Sequence, residues 1–447
     1  MAINPAAIFS TLGNPNSLVP LAVKDLSTTA GMTAGSYVTG KEEGVDRFID
    51  EFGTGMIWLL GIPAFKKLYD YTVFKAFGLD ANFDPRNLEN KDVFEKIKQY
   101  APDSDVKKGL EKISGKQKLF KNLVSTRFVV STGLTIASYL MLTKFKQKFT
   151  ENKIKQNLIA EYEEAQKQNN KQDNQETDSK LISTKESDLS FKGIGPMVEQ
   201  FAFSPVKNMY ILEAAITGTR LKESRSPQEL MGYVIKEGMT LMFLYYAGGK
   251  IQKEMGKHAV RKHNKSIALD ARVIEGKDLK EAFETKSVEK HLADFKAECT
   301  SDAKMYEFLH KNPDNLIVKT AKQSDAIKLY KAKKWYQFLK QPDLSKPIDT
   351  RAYIDLKEIK EINKNINELY EQYKAALAKG ETSDKFFKGV KKLKRNSVLA
   401  NIGVSILALG VITPGIMLLK RLLSHEDTEF QTKKEIRQQL IDEGVIA

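Results

Sequence analysis

The chain has 447 residues, enough for more than one domain, and its 41% hydrophobic and 29% charged content excludes a disordered polymer and a very apolar polytopic carrier. Its formal net charge of +14 is carried mainly by lysine and suits anionic partners, either nucleic acid or the acidic face of a membrane. Arginine, the better residue for bidentate reading of bases and phosphates, is scarce, which argues against specific nucleic-acid binding.

In chain order, the opening MAINPAAIFSTLGNPNSLVP lacks a basic stretch before an apolar core and is broken by Gly and Pro, so no signal peptide is expected there. Four segments then lack charge over a helix-sized length: Phe52–Phe65, Phe128–Thr143, Gly238–Gly249 and Asn396–Leu419. The last alone comfortably exceeds the ~18 residues that span a bilayer. Basic runs flank it, Lys391-Lys392-Leu393-Lys394-Arg395 before and Lys420-Arg421 after, and its Gly403, Ser405, Ala408 and Gly410 allow close helix approach. Pro414 is tolerable inside it where neighbours satisfy the freed carbonyl. Phe128–Thr143 spans if its basic flanks snorkel. The two shorter segments suit a buried, re-entrant or partial span.

The stretch Ala165–Lys180 has no apolar face and reads as a linker. From about Met255 to Lys394 the pattern is charged and helical. Its clearest element carries Ile359, Ile362, Ile366, Leu369 and Tyr373 at alternating spacings of three and four, closed by Gly380 as a C-cap. That seam is too short for a true coiled coil and predicts packing within a helical hairpin.

The two halves of the chain match in a common order. At an offset of 186, Thr33, Glu51, Thr54 and Met56 fall on Thr219, Glu237, Thr240 and Met242. Leu79-Asp80-Ala81 recurs as Leu269-Asp270-Ala271, and Lys91-Asp92 as Lys277-Asp278. Lys121 and Leu123 then fall on Lys391 and Leu393, and Gly133-Leu134-Thr135-Ile136 on Gly403-Val404-Ser405-Ile406, at an offset of 270. An internal duplication is expected, with a charged helical insertion in the second half. Two spans in each half give parallel repeats, and the lysine-rich approach to Asn396 places 251–395, with 67–127, on the cytoplasmic side.

No catalytic, cofactor-binding or metal-binding motif emerges. The histidines, His258, His263, His291, His310 and His425, form no zinc pattern, and no phosphate loop, dinucleotide fingerprint or nucleophile elbow is present. Gly248-Gly249-Lys250 echoes a phosphate loop weakly and is better read as a helix end. The single cysteine, Cys299, excludes an internal disulfide and reads as an inert thiol. Asp80 and Asp270 read as caps, and Ser226, Pro227 and Glu229 as a capping box. Lys331, Lys333 and Lys334 with Trp335 and Tyr336 mix cations and aromatics, which serves single-stranded nucleic acid, a membrane-surface helix or a packed amphipathic helix equally.

Glu51 and Glu237, each three residues ahead of a threonine (Thr54, Thr240), are the candidate site residues at a membrane entrance. The competing reading is a solvent-exposed carboxylate favoured by a helix N-terminus. The expected organisation is all-α and membrane-associated. Residues 1–150 form a first half with two apolar helices, 151–192 a polar linker, and 193–283 the start of the second half with a short apolar helix. Residues 284–390 are the charged insertion, and 391–447 a C-terminal transmembrane helix with a polar tail.

The expected function is a non-enzymatic membrane scaffold, without cofactor, whose lysine-rich helices contact anionic lipid headgroups or an acidic protein partner or form a homo-oligomer. The alternative is a transporter or channel-like protein of two parallel repeats. A soluble nucleic-acid-binding bundle is a third class, opposed by Asn396–Leu419.

Overall fold

The computed structural model describes residues 5–14, 17–169, 204–224, 227–331, 342–424 and 433–446. Most of Ala165–Lys180, together with Ser226, Lys333, Lys334, Trp335, Tyr336 and His425, lies outside them. The fold is all-α among the described residues, apart from one isolated antiparallel bridge between Leu329 and Ile348. The N-terminal helices are α1 (Pro5–Gly13), α2 (Leu18–Thr39) and α3 (Lys41–Phe77). They are followed by α4 (Lys91–Gln99), α5 (Ser104–Gly115) and α6 (Gln117–Asn169). The second half opens with α7 (Pro205–Lys222) and α8 (227–263). Five short helices follow: α9 (Ala271–Glu275), α10 (Lys277–Glu284), α11 (Ser287–Glu298), α12 (Asp302–Lys311) and α13 (Leu316–Gln323). The chain then forms α14 (Leu356–Ala378), α15 (383–424) and α16 (Lys433–Asp442).

Local signals set many of these boundaries. Asn90, Asp103, Asp355 and Thr382 cap α4, α5, α14 and α15, each side chain accepting from a backbone N–H of the first turn. Asp270 caps α9 in the same way, and Asp80 accepts from the Asn82 N–H at 2.9 Å in the turn after α3. Gly380 takes φ +81° after α14, where an L side chain would be strained.

Helices α2, α3, α6, α7, α8 and α15 form a bundle, with α3 lying along both α2 and α6, and α15 along α8 and α2. Its outer surface is apolar. Phe48, Phe52, Met56 and Leu60 of α3 are exposed, as are Val129, Met141 and Phe145 of α6 and Leu407, Val411 and Leu419 of α15. Three helices, Lys41–Phe77, Gln117–Glu164 and Ser383–Lys420, are long and apolar enough to cross a membrane. They contain three of the four charge-free segments; the third segment, Gly238–Gly249, lies in α8. Widened i→i+5 turns interrupt α3 at Asp70–Phe74, α8 at Met242–Tyr246 and α15 at Ala408–Ile412.

A globular module caps one end of the bundle. Its core joins Phe83, Phe94, Leu110 and Phe120 to Phe283, Phe308, Ile317 and Phe386, so 284–390 shares a core with the first half's polar helices. The α14 seam is buried throughout: Ile359, Ile366 and Leu369 are at most 1% exposed, and Tyr373 meets Phe386 at 5.4 Å between ring centroids. The hairpin packing expected for this seam is therefore present between α14 and α15. Burial, with Glu298 nearby, pushes the Cys299 thiol up to about 12, leaving it unreactive at neutral pH.

In each half of the chain a helix pair (α2–α3 and α7–α8) precedes short polar helices and a long apolar helix (α6 and α15), with the 23-residue α14 intervening in the second half alone. The matched tripeptides occupy like places. Leu79-Asp80-Ala81 follows Gly78, left-handed at φ +63°, and Leu269-Asp270-Ala271 follows the left-handed Asn264 that ends α8. Lys91-Asp92 and Lys277-Asp278 open α4 and α10.

One pH response follows from the module. Lys311, at 2.5 Å, and Lys96 of α4, at 2.7 Å, hold the Glu307 carboxylate of α12 down to about 2. A depressed carboxylate stabilises above its unfolded pKa of about 4.3 and loses that contribution as pH falls through the folded value. The module's thermal midpoint is expected to fall between pH 4.5 and 2, and this step should shrink in Glu307→Gln.

Candidate functional site

The interior of the bundle is charged. Asp46, Asp50 and Thr54 recur every fourth residue on α3, with Arg47 and Glu51 one step round, so all five share one side of the helix. Tyr139, Thr143, Lys146 and Thr150 face them from α6, Arg220 from α7, and Tyr233, Lys236, Glu237 and Thr240 from α8. Each of these residues is buried, Asp50 and Glu237 to 1% exposure and Arg220 to 2%.

The pairing is continuous. Thr150 Oγ1 donates to Asp46 Oδ1 at 2.7 Å, and Lys146 Nζ lies 3.6 Å from Asp46 and 3.7 Å from Asp50. Arg220 uses its whole fork: Nη2 donates to Asp50 Oδ2 and Thr54 Oγ1, each at 3.2 Å, Nη1 to Glu237 Oε1, and Nε to the Tyr139 hydroxyl at 3.1 Å. Lys236 Nζ bridges Glu51 Oε2 at 2.9 Å and Glu237 Oε1 at 3.0 Å. Arg47 closes on Glu51 at 3.5 Å. Four carboxylates (Asp46, Asp50, Glu51, Glu237) thus face four cations (Arg47, Lys146, Arg220, Lys236), as low-dielectric burial demands.

Glu51, Thr54 and Glu237 therefore meet in one place through Arg220 and Lys236, with Thr240 buried one turn beyond Glu237, although 186 residues separate the members of each pair. The water-exposed alternative for Glu51 does not hold. It lies ten residues into α3, whose start is Lys41, and is 4% exposed. Glu237 is ten residues past Pro227, the first residue of α8, and is likewise buried. Thr240 Oγ1 is buried without a hydrogen-bond partner among the described residues.

Sequence reasoning missed Asp50, Arg220, Lys146 and Lys236, and with them Asp25 of α2 and Glu213 of α7. The latter two acids lie within electrostatic reach of Lys236 and Arg220 but make no hydrogen bond or ion pair among the described residues. Asp25 points toward α3, where a Cβ at Gly55 would lie 3.0 Å from its Oδ2. The interior thus holds carboxylate in excess of its interlocked pairs, an arrangement that can take up and pass protons. No group of three or more His, Cys, Asp or Glu among the described residues is placed to hold a metal ion. Comparison of the chain with protein-family models, curated proteins and solved structures finds no match.

Proposed function

We propose that the chain is an integral membrane protein of two related halves that passes protons through its bundle interior, with the globular module on the cytoplasmic side. The observation that carries this reading is the buried cluster in which Lys236 joins Glu51 to Glu237 inside an apolar-faced bundle, with Asp25 and Glu213 beside it. Ionisable groups are costly in a membrane interior, and those kept there commonly serve ion or proton pathways. The repeated element order and the spans of like direction favour two parallel repeats.

A second reading, a scaffold that holds anionic lipid, has its own support. Lys250, Lys253, Lys257 and Arg261 form an exposed stripe along α8 just beyond its apolar stretch, where anionic headgroups on the cytoplasmic side would meet it under the positive-inside rule.

The test is reconstitution into liposomes carrying an internal pH dye, with a membrane potential imposed. Wild-type protein is expected to pass protons. The double variant Asp25→Asn with Glu213→Gln, which leaves every ion pair of the cluster intact, is expected to lose at least about tenfold of that flux at unchanged yield. Wild-type flux no greater than that of empty liposomes rejects proton passage and leaves the scaffold.

A further inference from the structure

At the globular end of the bundle, beyond the charge cluster, Lys24 of α2 is 3% exposed and has no carboxylate partner among the described residues. Its Nζ donates to two neutral oxygens, Phe243 O at 3.3 Å and Asn401 Oδ1 at 3.2 Å, which leaves one of its three N–H groups uncommitted. The Phe243 carbonyl is available because the widened turn Met242–Tyr246 disturbs the α8 ladder there, and Ser405 Oγ donates to it as well, at 3.3 Å. Accepting from Lys24 orients the Asn401 amide so that Nδ2 is left as a donor, on a side chain only 6% exposed.

These groups face a cavity of about 100 Å³ lined by Ser17, Lys24, Val206, Gly248, Gln252 and Asn401 among others, with no acidic residue in its wall. Val206 is the second residue of α7, in the first turn, where backbone N–H groups have no acceptor within the helix. Gly248 keeps the space open: a Cβ there would overlap the Asn401 amide and come within 2.9 Å of Lys24 Nζ. The neighbouring Asp25 is turned toward Gly55 of α3.

A buried cation with only neutral partners is stabilised by a counter-charge. Among the described residues the wall carries no carboxylate and offers the Lys24 ammonium and Asn401 Nδ2 as donors, and the volume is well below the roughly 300 Å³ of a pocket for drug-sized ligands. We infer that this cavity binds a single small oxyanion of the phosphate type, held by Lys24 and Asn401. The oxyanion is either free in solution or the phosphate of a lipid headgroup, since the cavity lies at the end of the bundle next to the globular module. This site does not depend on proton passage through Asp25 and Glu213.

The experiment titrates the full chain, in neutral-lipid nanodiscs, with inorganic phosphate against chloride at matched ionic strength, following the thermal midpoint. Wild type is expected to be stabilised by phosphate. Lys24→Met, which removes an unpaired buried charge and so keeps the fold, should weaken binding at least about tenfold, and Asn401→Leu should weaken it in the same direction. If free phosphate has no effect but phosphatidic acid added to the nanodiscs stabilises wild type and not Lys24→Met, the same site holds a lipid phosphate. Equal responses to phosphate and chloride, with no effect of phosphatidic acid, overturn the inference. So does a Lys24→Met chain that binds either probe like wild type. Proton flux retained in Lys24→Met would separate this site from the proposed path.

Discussion

Replacing Arg220 with alanine is expected to prevent recovery of a folded, monodisperse protein. Among the described residues Arg220 alone touches Asp50, Thr54, Tyr139 and Glu237 together, tying α7 to α3, α6 and α8. Its loss leaves four buried carboxylates facing three cations. Removing one partner of a buried pair costs about 3–5 kcal/mol because the remaining charge stays desolvated, a large part of the roughly 5–15 kcal/mol that holds a typical protein folded. Arg220→Lys should fare little better, since a single ammonium cannot replace a planar fork reaching four partners. Arg220→Met combined with Glu237→Met removes charge in balance and should recover much of the loss, because Lys236 still has Glu51 at 2.9 Å. The measurement is size-exclusion profile and thermal midpoint in mild detergent. An Arg220→Ala chain with the wild-type midpoint would show that the cluster does not join the halves.

Why the sequence disclosed so little of this cluster is a matter of which face carries which residues. The exposed apolar positions of α3 (Phe48, Phe52, Met56, Leu60) and its buried polar positions (Asp46, Asp50, Thr54) interleave with the same helical period. An amphipathic pattern looks the same whether its polar face meets water or another helix. Asp46 to Glu51 thus resemble an ordinary polar helix start, and Lys146, after Lys144, a basic flank. The usable signal lay in spacing: polar residues at 139, 143, 146 and 150 continue the face of an apolar stretch rather than surround it. By contrast, the α14 seam and the charge-free segments were legible because burial there is apolar and periodic. The shared core of the globular module was not, since Phe83 and Phe120 meet residues some 200 positions later only through the closed fold. Glu51 and Glu237 were found by internal comparison, because a repeat reports on position without reporting on burial.

Among the described glycines the tightest approach lies where α2 crosses α15, and there a single methyl group is expected to be decisive. A Cβ added at Gly31 would overlap the carbonyl of Gly410, backbone against backbone, so no side chain can rotate away. The reverse substitution is milder: a Cβ at Gly410 meets Ser27 O at 3.0 Å and Ser27 Cβ at 3.3 Å, and one at Gly35 only touches Pro414 Cβ at 3.6 Å. Gly410 sits in the widened turn Ala408–Ile412 just before Pro414, and Thr413 Oγ1 donates to the Ala408 carbonyl at 2.8 Å. That stretch of α15 is already committed and has little slack with which to move. Overpacking ordinarily costs about 1–3 kcal/mol, and the backbone clash at Gly31 puts Gly31→Ala at or above the top of that range. Thermal midpoints should therefore fall steeply for Gly31→Ala, moderately for Gly410→Ala and hardly at all for Gly35→Ala. Of the small residues that marked 396–419 as a packing helix, Gly403 faces outward and should tolerate leucine. Because Lys24 lies two turns before Gly31 on the same face of α2, Gly31→Ala should also separate it from Asn401 and reduce phosphate binding. Gly35→Ala should leave both properties intact. A flat series, with Gly31→Ala as stable as Gly35→Ala, would mean that α2 does not lie against α15 as described.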